Sequence, residues 1–492
     1  MTVNDLASNL VLILPVVVLM AWACLLLLVD LWIPKNRKGL TAALAATGLL
    51  LSLVLSISQV GHYTSAFNGM VIVDGFAVFF SVLFTGSGLL GVALAYDYLK
   101  RMGIERGEYY VLLLFSIGGM ILMALAGDLI VVFLALEWLS IPLYVLSGFA
   151  QSQLDSEESA LKYFLLGAFS GSFVVFGIAL VFGATGTTGL AGILAAVNAG
   201  SANTALLTIG AALILIGIGF KVSAVPFHMW TPDVYQGAPS TVTAFMAVGA
   251  KAAGFAALLR VFTVAFPALS LDLTPVLWAL AALTMILGNF VAIAQTNIKR
   301  MLAYSSIAHA GYILMAAVPF GQQGVSRDAV ASALFYLLAY ALTNFAAWSV
   351  VIAMEKAEGR DEIGREAGLS LSDYAGLGRK YPALGVVMAV AMLSFTGVPP
   401  TLGFVGKFYL FRSVLEAGFV GLALIGVLTS LVSAYYYLRV VVIIFMQDGE
   451  PVVRRDPWLY LTAGGAALAV VVLSIFASPL FSWASQAVLQ IF

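Results

Sequence analysis

Long apolar segments separated by short polar connections run along nearly the whole chain. Each is about 20 residues long, the length at which an α-helix crosses the hydrocarbon core of a bilayer. The pattern predicts membrane-spanning helices near residues 10–32, 41–60, 73–96, 109–126, 128–149, 158–184, 204–222, 240–266, 273–296, 299–319, 328–356, 382–418, 419–446 and 458–485. The first segment is too long for the apolar core of a cleavable signal peptide. We therefore expect an all-α membrane protein with about fourteen transmembrane helices.

Composition agrees with a chain that has almost no soluble part. Hydrophobic residues make up 62% of the 492 residues and charged residues only 10%, whereas soluble domains carry about 25% charged residues. The net charge of −1 argues against a nucleic-acid partner. Cys24 is the single cysteine and there are three histidines, so we expect no iron–sulfur cluster, haem or structural metal in this chain.

Lysine and arginine are concentrated in every second connection. If the N-terminus lies outside, the inner connections hold Lys35, Arg37, Lys38, Lys100, Arg101, Arg106, Lys299, Arg300, Lys356, Arg360, Arg365, Arg379, Lys380, Arg454 and Arg455. The outer connections then hold little beyond Arg327. The positive-inside rule therefore places both termini on the outer side. The longest inner connection, about 355–381, is expected to carry a short surface helix or a docking segment.

Eight ionisable residues fall within or at the edge of the predicted spans. They are Glu137, Lys162, Lys221, Lys251, Arg260, Lys407, Arg412 and Arg439. A charge at a helix centre costs roughly 2.5–3.5 kcal/mol on insertion scales, so a purely structural bundle would be more stable without such residues. The three arginines lie near span ends, where a snorkelling side chain is the preferred interpretation.

The remaining charges divide into two groups. Lys162 lies four residues after Glu158, so either a helical ion pair or a functional role is open for it. Glu137, Lys221, Lys251 and Lys407 lie deeper or beside helix breaks, which favours an ion path. Polar stripes accompany them at helical spacing: Glu137, Ser140, Tyr144 and Ser147; Ser305, His309 and Tyr312; Tyr336, Tyr340, Thr343 and Asn344. Such stripes also join helices, but those with Glu, Lys or His can exchange protons.

Two predicted helices are interrupted by proline beside a lysine. Lys221 precedes Pro226 and Pro232, and Pro399-Pro400 precede Lys407. Irregular backbone at membrane depth survives only within protein or along a watery cavity, so these lysines can meet water. Each break falls in the fourth helix of a five-helix unit, which suggests an inverted repeat. We expect segments 1–106 (helices 1–3), 107–268 (first repeat), 269–447 (second repeat) and 448–492 (helix 14).

Several strings strongly resemble subunit N of bacterial NADH-quinone oxidoreductase, respiratory complex I. They are ESALKYFLLGAFSGS, PFHMWTPDVYQGAPSTVTAF and NIKRMLAYSSIAHAGYILM, with LEWLSIPLYVL and GFVGKFYLF in agreement. The resemblance runs from about residue 70 to 445. The related subunit M has glutamate where this chain has Lys407, and subunit L is longer and ends in a lateral helix.

The resemblance implies a fold of fourteen helices with two inverted five-helix repeats, and a proton-translocating role in a membrane-arm subunit. It implies partners such as subunits M, K, J and A, with NADH, FMN, iron–sulfur clusters and quinone bound in partner subunits. It assigns the proton relay to Glu137, Lys162, Lys221, Lys251, His309 and Lys407. On this hypothesis protons enter near Lys251 from the inside of a bacterial cytoplasmic membrane and pass Lys221 and His309 to Lys407, while Glu137 pairs with Lys221.

Three alternatives remain at this stage. A subunit of a multi-component Na⁺/H⁺ antiporter and a membrane subunit of an energy-converting hydrogenase share much of the pattern. The strings ALKYFLLGAFS and SSIAHAGY favour complex I over both. A purely structural scaffold that docks other subunits is the third alternative, and the buried lysines argue against it.

Overall fold

A computed structural model describes residues 9–151, 153–322, 324–356 and 368–488, and helices dominate these ranges. The helices are α1 (Leu14–Asp30), α2 (Gly39–Ser58), α3 (Gly75–Arg101), α4 (Glu108–Leu125), α5 (Leu129–Ser147), α6 (Leu154–Thr185), α7 (Leu190–Asn198), α8 (Thr204–Val222), α9 (Trp230–Gly237), α10 (Ser240–Ala265), α11 (Ser270–Ile293), α12 (Ile298–Met315), α13 (Val325–Met354), α14 (Leu377–Lys380), α15 (Pro382–Thr396), α16 (Leu402–Glu416), α17 (Val420–Met446), α18 (Pro457–Ile475) and α19 (Ala477–Gln486).

Within the described ranges, eleven helices are long and apolar enough to cross a membrane, and α1 and α15 are shorter apolar helices. The predicted spans coincide with α1–α6, α8, α10–α13, the pair α15 and α16, α17, and the pair α18 and α19. The prediction of an all-α membrane protein is confirmed. Helix α12 is not among these eleven because it carries Lys299, Arg300 and His309, which make it less apolar than they are. It tolerates them because nearly all of its residues are buried within the protein.

The structure adds short elements that the apolar pattern did not reveal. Strands β1 (Thr64–Ala66) and β2 (Val71–Val73) form an antiparallel hairpin between α2 and α3. A three-residue strand is too short to show alternation in the sequence. The connection at about 355–381 carries a 3₁₀ helix (Leu371–Tyr374) and α14, while residues 357–367 lie outside the described residues.

The basic connections meet at one end of the bundle, which we call the basic face. Long basic side chains from these connections donate hydrogen bonds to backbone carbonyl groups at the ends of neighbouring helices. Arg101 donates to the carbonyl of Ile352 at the end of α13, and Lys299 donates to the carbonyl of Ala238 after α9. The hairpin lies at the opposite end, where the Gly127 amide before α5 donates to Met70. The two ends of the bundle therefore differ in their content of basic residues.

Both proline breaks are observed, and hydroxyl groups bond the backbone beside them. Helix α8 ends at Val222, and Ser223 adopts a left-handed conformation with φ of 65°. The Val225 amide beyond it donates to Thr284 Oγ1 over 2.9 Å. Helix α15 ends at Thr396, and the Gly403 amide donates to Ser394 Oγ over 3.2 Å. These hydroxyl groups satisfy backbone amides that the breaks leave without a helical partner, as a membrane environment requires, while Pro226, Pro399 and Pro400 themselves are exposed.

A repeated backbone clamp relates the two halves of the chain. The paired hydrogen bonds are Leu129 to Thr188 with Leu190 to Gly127, and Ile298 to Leu369 with Leu371 to Thr296. Each pair brackets the start of one helix, α5 in the first half and α12 in the second. Helix α5 starts at the hairpin end, whereas α12 starts at the basic face, so these two helices run in opposite directions, as an inverted repeat requires. The boundaries 106/107, 268/269 and 447/448 stay a prediction.

The three span-end arginines are all held by protein groups. Arg260 does not snorkel, which corrects the sequence interpretation. Its guanidinium is buried and donates two hydrogen bonds to Asp74 over 2.9 and 2.8 Å. Arg439 donates to the carbonyls of Ile293 and Gln295 at the end of α11. Arg412 forms an exposed i,i+4 ion pair with Glu416. Each of these residues has a structural role.

Candidate functional site

Lys221 lies in the last turn of α8, beside the first break, and is 3% exposed. Its ammonium donates to Ser140 Oγ over 2.7 Å and to Tyr163 OH over 3.0 Å. The Tyr163 ring stacks on Trp230, the first residue of α9, with ring centroids 4.6 Å apart. The two halves of the broken helix, α8 and α9, therefore both help to position the lysine. Its hydroxyl partners can either accept or donate a proton.

Glu137 lies one turn before Ser140 on α5 and is only partly buried. The hypothesis that Glu137 pairs with Lys221 stays a prediction, and the two groups attract each other electrostatically. Among the residues that the structure describes, Glu137 forms no direct salt bridge, and Ser140 and Tyr163 accept the hydrogen bonds of the lysine. Exposed apolar residues such as Leu134 and Ile141 surround Glu137 on this helix. The carboxylate therefore lies near the outer wall of the bundle.

Lys251 lies in the middle of α10, and nearly all residues of this helix are buried. Its ammonium donates to the carbonyl and the hydroxyl of Ser306 over 2.7 and 2.5 Å. Tyr340 on α13 donates to the same hydroxyl over 2.8 Å. Ser306 is thus a shared acceptor that brings α10, α12 and α13 together around one buried charge.

His309 follows Ser306 by three residues on α12, so both lie on the same helix face. Its Nδ1 lies 2.6 Å from Tyr336 OH, and its Nε2 lies 3.0 Å from Tyr437 OH. Tyr437 also hydrogen-bonds Ser305. An imidazole between two hydroxyls can accept a proton at one nitrogen and release one at the other.

Lys407 lies on α16, beyond the second break, and is 4% exposed. It donates to the carbonyls of Phe395 and Thr396 over 2.8 and 3.0 Å and to Ser430 Oγ over 2.7 Å. Three acceptors match the three donors of an ammonium group. Two of them are terminal carbonyls of α15, where the helix dipole favours a cation.

Phe395 contacts both His309 and Lys407. Its ring centroid lies 5.0 Å from that of His309, while its carbonyl accepts from Lys407. The Tyr312 ring also lies beside both, 5.7 Å from the His309 ring and 4.8 Å from Lys407 Nζ. In the described ranges no direct hydrogen bond joins the histidine group (His309, Tyr336, Tyr437) to Lys407. A proton therefore needs water or a side-chain movement to pass between them.

Lys162 lies apart from these clusters, at the basic face. It pairs with Glu158 over 2.7 Å and with Asp233 over 2.7 Å, and its side chain is 41% exposed. Asp233 also accepts from Arg300 over 2.8 Å. A cavity of about 120 Å³ lies among these residues. The sequence did not single out Asp233, although its position directly after Pro232, in the broken helix, was a usable signal.

The sequence analysis did not predict the buried pair of Lys299 and Glu355, because it assigned Lys299 to a loop. Lys299 is 2% exposed and lies 4.0 Å from Glu355. Tyr98 donates to Glu355 Oε1 over 3.2 Å, whereas Oε2 has no hydrogen-bond partner among the described residues. This pair joins α3, α12 and α13 at the basic face.

Comparisons with known proteins agree with this architecture. The family described as "NADH:quinone oxidoreductase/Mrp antiporter, TM" matches residues 126–433. NADH-quinone oxidoreductase subunit N of Trichlorobacter lovleyi is 46% identical over 488 residues, covering 98% of this chain and 97% of that protein.

Solved structures show the same fold. A chain of respiratory complex I from Thermus thermophilus with bound aureothin aligns with a TM-score of 0.81 and 34% identity, over 96% of this chain and 99% of that one. A chain of the Mrp complex from Dietzia sp. DQ12-45-1b aligns with a TM-score of 0.85, over 99% of this chain and 97% of that one, at 21% identity. The second likeness shows the fold alone. The chain belongs to the subunit N family of NADH-quinone oxidoreductase, the membrane-arm subunits of respiratory complex I.

Proposed function

We propose that this chain moves protons across the membrane through its buried lysines and histidine, driven by electron transfer in partner subunits. One observation carries the proposal. Lys221, Lys251, His309 and Lys407 are each at most 4% exposed, and each is held by hydroxyl or carbonyl groups instead of a carboxylate. Buried cations without a counter-ion are costly, and they are useful where a charge must come and go.

In this proposal the path starts at the basic face. Protons are taken up near Lys251 and the broken helix of α8 and α9. They pass Lys221 and His309 and reach Lys407, from which they leave toward the hairpin end. Glu137 acts at the outer wall of the bundle, one helical turn from the Ser140 hydroxyl that holds Lys221. Lys162 takes part at the mouth of the path, where Asp233 holds it in place.

Energy reaches this chain from outside it. NADH, FMN, iron–sulfur clusters and quinone belong to partner subunits in this proposal, and neighbouring membrane-arm subunits transmit the change. Moving one charge against 100 mV costs about 2.3 kcal/mol. A shift of about two units in the pKa of a buried group has a similar energy, so a modest rearrangement around one lysine is sufficient.

Replacing Lys221 by alanine in the assembled complex tests the proposal. We expect NADH oxidation and proton pumping by inverted membrane vesicles to fall together, because removal of the ammonium interrupts the path. Arg412→Gln is the matched control, since it removes an exposed cation. Unchanged coupled pumping in Lys221→Ala would show that the path does not use this residue.

We also propose that the basic face lies on the inner side of a bacterial cytoplasmic membrane, with both termini outside. Cysteine labelling in intact cells tests this orientation. After Cys24→Ser, a thiol reagent that does not cross membranes should label Ser201→Cys, in the connection at the hairpin end. It should leave Arg106→Cys unlabelled until the cells are opened. The reverse result would invert the orientation and the direction of the path.

A further inference from the structure

A cavity of about 440 Å³ opens at the basic face, between the first turns of α15 and α18. Its lining combines cations, phenols and apolar side chains. The lining residues are Lys380, Tyr381, Pro382, Ala383, Leu384, Arg455, Asp456, Pro457 and Tyr460. None of the proton-path residues contributes to it, so its chemistry needs a separate explanation.

The charge of the lining favours an anion. Lys380 and Arg455 are exposed. Lys380 is paired with Glu450, whose side chain is 87% exposed, and such surface pairs are weak enough to be exchanged for another anion. Asp456 is the acidic lining residue, but it is buried and caps α18 by accepting from the Trp458 amide. Burial raises the pKa of the Asp456 carboxyl.

The backbone and the phenols add to this preference. Helix α15 begins at the cavity with Pro382 and has no side-chain cap, so its N-terminus faces this space. Tyr381 and Tyr460 line it as well. Tyrosine is enriched at the level of lipid headgroups, where its ring and hydroxyl meet different surroundings.

Exposed apolar residues continue from the cavity along α15 and α18 toward the membrane core, and we call the surface that they form the groove. On α15, Val386 lies one turn beyond Pro382 and Ala383, and it is 54% exposed. On α18, Leu461, Gly464 and Leu468 follow Pro457 and Tyr460 at helical spacing and are exposed. Nothing lies within 4 Å of a Cβ built on Gly464. The groove is therefore open along the length that an acyl chain would follow.

We propose that this cavity binds the phosphate headgroup of an anionic phospholipid, with one acyl chain lying in the groove between α15 and α18. Lys380 and Arg455 contact the phosphate, and Tyr381 and Tyr460 lie at its glycerol end. Basic pockets between membrane helices on the cytoplasmic side bind such headgroups. The site uses none of the proton-path residues, and it rests on the proposed orientation, in which the basic face is cytoplasmic.

Lipid binding to the purified, delipidated complex tests the proposal by native mass spectrometry. The variant is Lys380→Gln with Arg455→Gln. The control is Arg379→Gln with Arg454→Gln, which removes two neighbouring cations that do not line the cavity. We expect the variant to bind dioleoylphosphatidylglycerol roughly tenfold more weakly, because two charge-assisted hydrogen bonds are lost, and the control to match the parent complex. Two results would overturn the proposal. One is an equal loss of lipid affinity in the variant and the control, and the other is binding of dioleoylphosphatidylcholine as tight as that of dioleoylphosphatidylglycerol.

A second variant separates a lipid from a free anion. Gly464→Leu fills the groove and leaves the cations unchanged, so we expect it to weaken phosphatidylglycerol binding. Inorganic phosphate should compete poorly with the lipid in the parent complex. If phosphate displaces the lipid readily and Gly464→Leu has no effect, the cavity is an anion site instead. If partner-subunit side chains crosslink to a cysteine placed at Arg455, a protein segment occupies the cavity and the proposal fails.

Discussion

Lys407 donates a 2.8 Å hydrogen bond to the carbonyl oxygen of Phe395, in the last turn of the helix that the proline pair ends. That contact places an ammonium group of α16 against the carbonyl end of α15. We predict that Lys407→Gln lowers NADH-driven proton pumping by roughly tenfold, equivalent to about 1.4 kcal/mol in the rate-limiting barrier. Fluorescence quenching by a pH-sensitive dye in inverted vesicles measures it. Retention of full pumping would remove Lys407 from the path.

Ser140 and Ser147 provide a matched pair on α5. Both hydroxyls are buried, and both donate to the carbonyl four residues earlier, but only Ser140 also accepts from Lys221. Leaving a buried donor without its acceptor costs about 1–3 kcal/mol. We predict that Ser140→Ala slows pumping several-fold while Ser147→Ala does not. Equal effects of both substitutions would mean that the hydroxyls serve only the helix.

Gly254 on α10 packs against the stem of Lys221. A Cβ at this position would lie 2.8 Å from Val222 Cγ1 and 3.4 Å from Lys221 Cβ. We predict that Gly254→Val displaces Lys221 and reduces coupled NADH oxidation, with a packing cost of about 1–3 kcal/mol. Gly86→Val on α3 is the control, because open space surrounds Gly86. Assembly of both variants is checked by native gel electrophoresis, and normal activity of Gly254→Val would contradict the prediction.

Arg260 and Asp74 form a buried ion pair that joins α10 to the start of α3. Removing one charge from such a pair costs about 3–5 kcal/mol, whereas replacing both is often tolerated. We predict that Arg260→Met lowers the thermal stability of the complex and that Arg260→Met with Asp74→Asn recovers most of the loss. The asparagine still caps α3. Absence of any recovery in the double variant would mean that the arginine stabilises by packing alone.

Glu137 offers a test by side-chain length. Glu137→Gln removes the negative charge, whereas Glu137→Asp keeps it on a shorter stem. We predict that the glutamine variant loses most of its pumping and that the aspartate variant loses less, because the electrostatic attraction between carboxylate and Lys221 persists at a greater distance. Steady-state pumping against a set potential distinguishes them. Equal activities of the two variants would assign Glu137 a structural role.

The positions of the helices followed from the sequence because a bilayer fixes the length of each apolar segment. The broken helices followed from proline chemistry, which acts locally. The partners of Lys221 did not follow, because Ser140 and Tyr163 lie 81 and 58 residues away in the chain. The hydroxyls that accept from Lys221 come from two different helices, α5 and α6, and the pairing of Glu137 with Lys221 stays a prediction.

Lys299 and Arg260 show a second limit of the sequence. Hydropathy placed Lys299 in a loop and Arg260 near a span end, and both are 2% exposed in the folded chain. A carboxylate from a distant segment compensates each charge, Glu355 in one case and Asp74 in the other. Hydropathy alone has no information on such pairing, so the burial of paired charges could not be predicted.

The gap in direct hydrogen bonds between His309 and Lys407, among the described residues, has a consequence for energy conservation. If this chain moves protons as proposed, an unbroken chain of exchangeable groups from one face to the other would let protons leak back and dissipate the membrane potential. The Phe395 ring that packs on His309 at this gap cannot exchange a proton. Proton transfer then requires a water molecule or a side-chain movement that transiently connects the two residues. Whatever controls that connection determines when protons cross the gap and in which direction.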